Sequence, residues 1–294
     1  MKPPPFTYVR ADSADEALLA LAQYGDDAKV LAGGQSLIPM MNLRLAQPEV
    51  LVDIGRATDL AGIQRAGDLR IGATTSQSSV ARSADVAAHA PLVRAALRYV
   101  SHPAIRSRGT FGGSLAHADP AAELPAVAVA LDASLVLRGP HGTREVAAGD
   151  FYVTHLTTVM DEDEVLCEVR IPPPPVEGQV RDVFLELARR HGDFALVGVA
   201  VRLIVDAAER IAHAGVVMCA VSDVPFRAGE AEQLLVGTSV SDQTTLREAA
   251  QLAARDLQPP SDVHASGQYR RELAEVLVRR AVNTAIQGSA RDPE

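Results

Sequence analysis

The chain has 294 residues, 47% of them apolar, and a formal net charge of −9 with a pI near 5.4. That balance argues against a protein that holds nucleic acid or an acidic membrane through bulk electrostatics, and the length favours about two domains. The longest nearly uncharged apolar runs, Ala195 to Val201 and Ala214 to Val221, fall far short of the roughly 20 residues that a bilayer span needs.

The opening "MKPPPFTYVR" carries a basic residue with no apolar stretch behind it, so no secretory signal is read there and a cytoplasmic address is expected. Ser13 with Glu16 forms a capping-box pattern, Ala17, Leu18, Leu21 and Ala22 repeat at helical spacing, and Gly25 stops the helix. Ala28–Ala32 and Val50–Ile54 read as strands, and "GIQRAGDLRIGA" as a hairpin turning at Ala66, Gly67 and Asp68. Helices are expected at Ser76–Arg82 and Leu92–Val100. A helix from Pro120 to Leu131, with Pro first and Glu123 in its first turn, leads into a strand at Ser134–Gly139. The proline run Pro172–Pro175 marks the expected domain boundary. Beyond it lie three strand-like runs, Val183–Ala188, Ala195–Val205 and Ile211–Val221, then helices at Glu230–Val236, Thr244–Leu257 and Tyr269–Ile286. In the last, Tyr269, Leu273, Val276, Leu277 and Ile286 share a face. Strands followed by helices read as an α+β layer, a sheet covered by helices on one face.

Two glycine pairs, Gly33-Gly34 and Gly112-Gly113, stand out, each with a serine close behind. Backbone amides in such turns form nests suited to phosphate oxygens, and the hydroxyls of Ser36, Thr110 and Ser114 can add donors; the plainer alternative is two tight turns. Neither segment matches the P-loop or the Rossmann fingerprint. Asp119 and Glu123 either accept from ligand hydroxyls or simply sit at a dipole-favoured helix start, and the residues alone favour the latter. His102, His117 and His191 have no partner at metal-ligand spacing, and Ser36 and Ser114 have no triad support. Phe194, at a strand start, packs in the core or lies against a planar ligand, with the core favoured by its chemistry. Cys167 and Cys219 stand alone, too few for an iron-sulfur cluster or structural zinc, and read as small core residues.

Together, "AGGQSLIPMMNLRLAQP" and "HPAIRSRGTFGGSLAHADPAAELPAVAVALDA" resemble the two flavin-binding signatures of the FAD-binding medium subunit of the molybdenum hydroxylases, the group of xanthine dehydrogenase and aerobic carbon monoxide dehydrogenase. "LARRHGDFALVGVA" and the C-terminal helices extend the likeness over essentially the whole chain. The resemblance implies a two-part FAD-binding domain of the vanillyl-alcohol-oxidase (PCMH) type in 1–175, with subdomains of about 1–57 and 58–175. A small domain of a three-stranded antiparallel sheet with three helices would follow in 176–290. It implies non-covalent FAD that passes electrons to an external acceptor. Molybdopterin and 2Fe-2S clusters would sit only on large and small partner subunits, in a dimer of heterotrimers. The rival is a self-contained FAD-dependent oxidoreductase, which would need a proton donor or acceptor that the sequence does not offer.

Carried over position by position, the resemblance implies that Ala32, Gly33, Gly34, Gln35 and Ser36 wrap the FAD pyrophosphate, flanked by Lys29, Val30, Leu31 and Leu37. Thr110, Phe111, Gly112, Gly113 and Ser114 would form the second wall, Phe111 standing where relatives more often have Ile. Asp119 and Glu123 would meet the FAD hydroxyls, Leu166 the adenine through its backbone, and Phe194 the isoalloxazine. No residue is expected to act as a catalytic acid or base or as a metal ligand. Glu186 stands where many relatives carry Lys. A carboxylate there would repel a reduced, anionic flavin and lower its potential unless it points away.

Overall fold

The computed structural model describes residues 2–288. The chain opens with β1 (Thr7–Arg10), α1 (Ala14–Tyr24), β2 (Ala28–Leu31), α2 (Leu37–Asn42) and β3 (Val50–Asp53), and the three strands form a parallel sheet in the order β1-β3-β2. Ser13 caps α1 by accepting from the Glu16 amide, and Gly25 ends it at φ 54°. The Glu16 carboxylate reaches back to the Asp12 amide at 2.7 Å, one residue before the position expected of a capping box. Ala14, Ala17, Ala20 and Leu21 bury the inner face of α1 against this sheet.

The next unit is built on β4 (Ile63–Ala66) and β5 (Asp68–Gly72), a hairpin turning at Gly67. Six helices follow: α3 (Gln77–Arg82), α4 (Ala84–His89), α5 (Pro91–Leu97), α6 (Pro103–Arg108), α7 (Phe111–His117) and α8 (Glu123–Ala130). The chain then forms β6 (Ser134–Gly139), β7 (Gly142–Ala147), α9 (Ala148–Phe151), the small hairpin β8 (Tyr152–Thr154) and β9 (Thr157–Thr158), and β10 (Val165–Ile171). Five of these strands make an antiparallel sheet in the order β4-β5-β10-β6-β7. Every residue of α8 is buried, as a helix apolar on all sides must be. It starts at Glu123 and not at Pro120, because Asp119 first closes a turn by accepting from the Ala121 amide at 2.8 Å.

The last unit comprises β11 (Gln179–Ala188), β12 (Ala195–Val205), β13 (Ile211–Cys219), a two-residue β14 (Phe226–Arg227), α10 (Gly229–Leu235), α11 (Gln243–Arg255) and α12 (Gly267–Ile286). The three long antiparallel strands and three helices are those read from the sequence, and β14 extends the sheet by a short edge. The sheet is covered on both faces. Val197, Val199, Val201 and Leu203 pack in the core made with the helices of this unit, while α5 and α8 lie against the other face, so all of β12 is buried. Strand alternation explains the division, since odd and even positions face opposite layers. On α12 the buried stripe runs through Ala274, Leu277, Val278, Ala281, Val282 and Ala285, and Tyr269 is 46% exposed, so the face lies off the one expected from the larger side chains.

A buried charged pair lies between the layers. Arg202 donates from Nε and Nη2 to the two oxygens of Asp182 at 2.8 and 2.7 Å, and Asp182 also accepts from the Leu92 amide at 3.0 Å, in the first turn of α5. Both side chains are almost wholly buried. A carboxylate is favoured at a helix N-terminus, and here it ties that helix to the C-terminal sheet.

Candidate functional site

The glycine segment Ala32–Ser36 leaves β2 at the open end of the parallel sheet and runs into α2. Gly34 has φ 70°, a conformation that favours glycine. Gly33 is pressed against the second motif: a Cβ on it would stand 2.4 Å from the Arg108 carbonyl oxygen and 2.8 Å from Gly109 Cα. A Cβ on Gly113 would stand 3.6 Å from Ala32 Cβ. The two glycine motifs, far apart in sequence, therefore abut and form adjoining walls.

Their amides differ in use. Those of Gly34, Gln35 and Ser36 have no acceptor among the described residues, and the Gln35 side chain folds back to donate to the Gly33 carbonyl at 2.9 Å. Three successive half-buried or exposed donors of this kind form an anion-binding nest. The second pair is not a turn. It lies in the first turn of α7, where Thr110 caps the helix by accepting from the Gly113 amide at 3.1 Å and the Gly112 amide donates to the Ala73 carbonyl at 2.9 Å. Here the glycines permit close packing, since a Cβ on Gly112 would meet Ala73 at 2.5 Å. What this wall offers a ligand is the hydroxyls of Thr110 and of Ser114, the latter without a partner among the described residues. Phe111 is fully buried in the core and its amide donates to Thr75, so its side chain is no part of the opening.

Around these walls stand Lys29 on the exposed side of β2 and, half-buried, Val30, Leu31 and Leu37. His117, at the end of α7, is held below the usual imidazole range, chiefly by burial, with the charges of Lys29 and His155 lowering it further and that of Asp119 opposing them. Lys29, Asp119 and His155 are thus near enough for their charges to act on His117. Nothing in the spacing of His155 had marked it, because it arrives on the β8–β9 hairpin. Glu123 is 8% exposed, and burial together with the neighbouring Asp119 charge pushes its carboxyl up to about 7.

Leu166 has its side chain in the core, which leaves only its backbone for any ligand. Phe194 is 72% exposed on the β11–β12 loop, contrary to the core placement favoured by its chemistry. The loop turns at Gly192, and a Cβ there would come within 2.8 Å of His102, so the loop is seated on the turn between α5 and α6. The His102 and His191 rings stack with centroids 6.3 Å apart, a pairing invisible in the sequence. The Phe194 loop and the Gly33 wall thus meet opposite ends of α6. Cys219 is buried and Cys167 half-buried, and burial pushes the Cys167 thiol up to about 11.

Comparison with known proteins covers nearly the full chain. The family of the FAD binding domain in molybdopterin dehydrogenase matches residues 4–174, and that of the CO dehydrogenase flavoprotein C-terminal domain matches residues 182–285. The chain is 38% identical to the 6-hydroxypseudooxynicotine dehydrogenase complex subunit alpha of Paenarthrobacter nicotinovorans, over 97% of this chain and 96% of that one. It is 39% identical to the carbon monoxide dehydrogenase medium chain of Afipia carboxidovorans, over 97% and 98%. Its fold superposes on the carbon monoxide dehydrogenase of Hydrogenophaga pseudoflava with a TM-score of 0.94 at 36% identity, covering 99% of this chain and all of that chain.

Proposed function

The chain belongs to the FAD-binding medium subunits of the molybdenum hydroxylases, and on that premise we propose that it binds FAD between its two glycine motifs and relays electrons from a partner subunit to an external acceptor. The observation that carries this is the abutment of Gly33 on Arg108 and Gly109, with the free amides of Gly34, Gln35 and Ser36 beside it. The residues fit the group. A diphosphate needs clustered donors and a backbone that comes close, and side chains at Gly33 or Gly113 would fill the space between the walls.

In this reading Gly34, Gln35 and Ser36 donate to the pyrophosphate and the hydroxyls of Thr110 and Ser114 close the second wall. Ala32, Gly33, Gly112 and Gly113 keep both walls narrow. Lys29 adds a cation at the rim, and Val30, Leu31, Leu37 and Phe111 support the walls from behind. Asp119 and Glu123 accept from cofactor hydroxyls, the Leu166 backbone meets the adenine, and Phe194 lies beside the isoalloxazine. FAD, when bound, supplies the exchange of electrons between carriers, and the chain's own residues hold, orient and desolvate it. Residues 1–175 would serve as the cofactor domain and 176–290 as the smaller one that covers it.

The likeness to medium chains supports large molybdopterin and small 2Fe-2S partners, and a dimer of heterotrimers in the cytoplasm completes the proposal. No helix among the described residues is long and apolar enough to cross a membrane. The test is the absorption spectrum of the chain purified alone with added FAD, and again after co-purification with its partners. Flavin bands in the first sample, and iron-sulfur absorbance that bleaches with substrate in the second, are the expected results. A lone chain that turns over a substrate would instead establish a self-contained oxidoreductase.

A further inference from the structure

The register of β11 places Asp182, Phe184 and Glu186 on the face turned toward α5 and α8, since Val183 and Leu185 pack with the C-terminal helices. Glu186 thereby enters the seam between the cofactor domain and the C-terminal sheet. Its Oε2 is buried with no hydrogen-bond partner among the described residues. That oxygen lies 3.8 Å from where a Cβ on Gly198 would stand, a position 2.5 Å from Cys219 Sγ and 3.2 Å from the Phe184 ring. Tyr99 packs on Phe184 with ring centroids 5.4 Å apart. An ionised carboxylate with a buried, unpartnered oxygen in such surroundings is costly, and a neutral acid is not.

Across the seam the amide of Ala220, next after Cys219, donates to the Pro120 carbonyl at 2.7 Å, and three residues on, Glu123 opens α8, where a helix N-terminus favours the charged form. Of the two carboxyls, the one at the helix start is the better place for a negative charge and the one among Phe184, Tyr99 and Cys219 the better place for a proton. We propose that Glu186 and Glu123 hold a single proton across the seam, Glu186 being the neutral partner and positioning residue, and that this charge state lets Glu123 accept hydrogen bonds from the FAD hydroxyls. The inference rests on the reading that Glu123 meets the cofactor. It also reverses the expectation attached to Glu186: a neutral acid exerts no Coulomb repulsion on a reduced flavin at neutral pH.

The other charged groups about the seam are consistent with this. Burial and the Glu123 charge push Glu186 up to about 8, whereas Glu123 reaches about 7. On α5 and its end, Tyr99 is raised by burial and by Glu186, and Arg98 lowers it. Cys219 on β13 is raised by burial and by both carboxyls. Asp119 precedes α8, and Asp182 and Arg202 on the same sheet face are joined to each other. On the opposite side, Arg280 and Asn283 of α12 border a cleft that Glu186 also touches.

The test is FAD affinity of the full chain, followed by flavin fluorescence from pH 6 to 9.5, in wild type and Glu186→Gln. Wild type is expected to weaken above pH 8, by up to about tenfold per pH unit, as the second ionisation puts another buried charge beside the anionic cofactor, and Glu186→Gln to stay level there while keeping the acid-side loss that belongs to Glu123. A structural role for Glu186 would displace the curve equally at every pH. An alkaline loss that survives in Glu186→Gln, or its absence from wild type, overturns the proposal. No FAD binding by wild type at any pH would instead overturn the cofactor reading beneath it. A second measurement needs no FAD: the infrared band of a protonated carboxyl, expected in the cofactor-free chain at pH 7.5, lost in Glu186→Gln and kept in Glu123→Gln. Its absence from wild type overturns the one-proton seam whatever the variants do.

Discussion

Gly33 lies against the Arg108 carbonyl so closely that an alanine there would place its Cβ 2.4 Å from the oxygen. The neighbours are backbone on both counts, Arg108 and Gly109, so no flexible side chain can yield. Gly33→Ala must push the two cofactor walls apart. An overpacked contact of this kind costs about 1–3 kcal/mol, so FAD affinity is expected to fall by about tenfold or more, read by fluorescence titration of the purified chain. Unchanged affinity would show that the walls do not clamp the cofactor.

This contact also marks what could be read in the sequence. The glycine motifs, the capped helix at Ser13, the C-terminal strands and the resemblance were legible because each is carried by local pattern. The approach of Gly33 to Gly109 was not, since it depends on how α6 returns across the sheet. For the same reason the second glycine pair read as a turn: "TFGGSLAH" contains two residues that disfavour helix, and only the Thr110 cap and packing on Ala73 make it helical. Phe194 was assigned by hydrophobicity, which cannot tell a strand start from an exposed loop tip. Arg202 carries a signal of its own, a lone charge inside the apolar run "ALVGVAVRLIV".

Phe194 has little of its ring buried in the isolated chain, so Phe194→Ala is expected to alter folding stability by no more than about 0.5 kcal/mol. If the ring lies beside the isoalloxazine, the same substitution should shift the flavin absorption bands and the fluorescence of bound FAD. Equal spectra in the two proteins would remove Phe194 from the site. A large stability loss would show instead that the loop is held by the ring.

Asp182 and Arg202 place a buried ion pair at the seam between the domains. Removing a single partner leaves the other's charge desolvated, so Arg202→Met should cost about 3–5 kcal/mol in urea unfolding. Asp182→Asn should cost less, because the amide oxygen can still accept from Leu92. The double variant Asp182→Leu, Arg202→Met is expected to recover much of the single-variant loss. If each single change is as mild as a surface substitution, the pair does not join the layers.

The two raised carboxyls set the pH response of the cofactor-free chain. Glu123 at about 7 and Glu186 at about 8, against 4.5 when unfolded, mean that the native state binds more protons than the unfolded state between pH 4.5 and 8. Their contribution is therefore complete below 4.5 and is lost as pH rises to about 8. Asp262 acts in the opposite sense. Its carboxyl accepts from the Ala265 and His264 amides and is held down to about 2, so its contribution is present above 3.8 and lost only as pH falls toward 2. The urea midpoint is accordingly expected to decline from pH 5 to pH 8.5, and the decline to flatten in the double variant Glu123→Gln, Glu186→Gln. A midpoint that rises over that interval, or a decline that the double variant keeps in full, would mean that other groups govern the response.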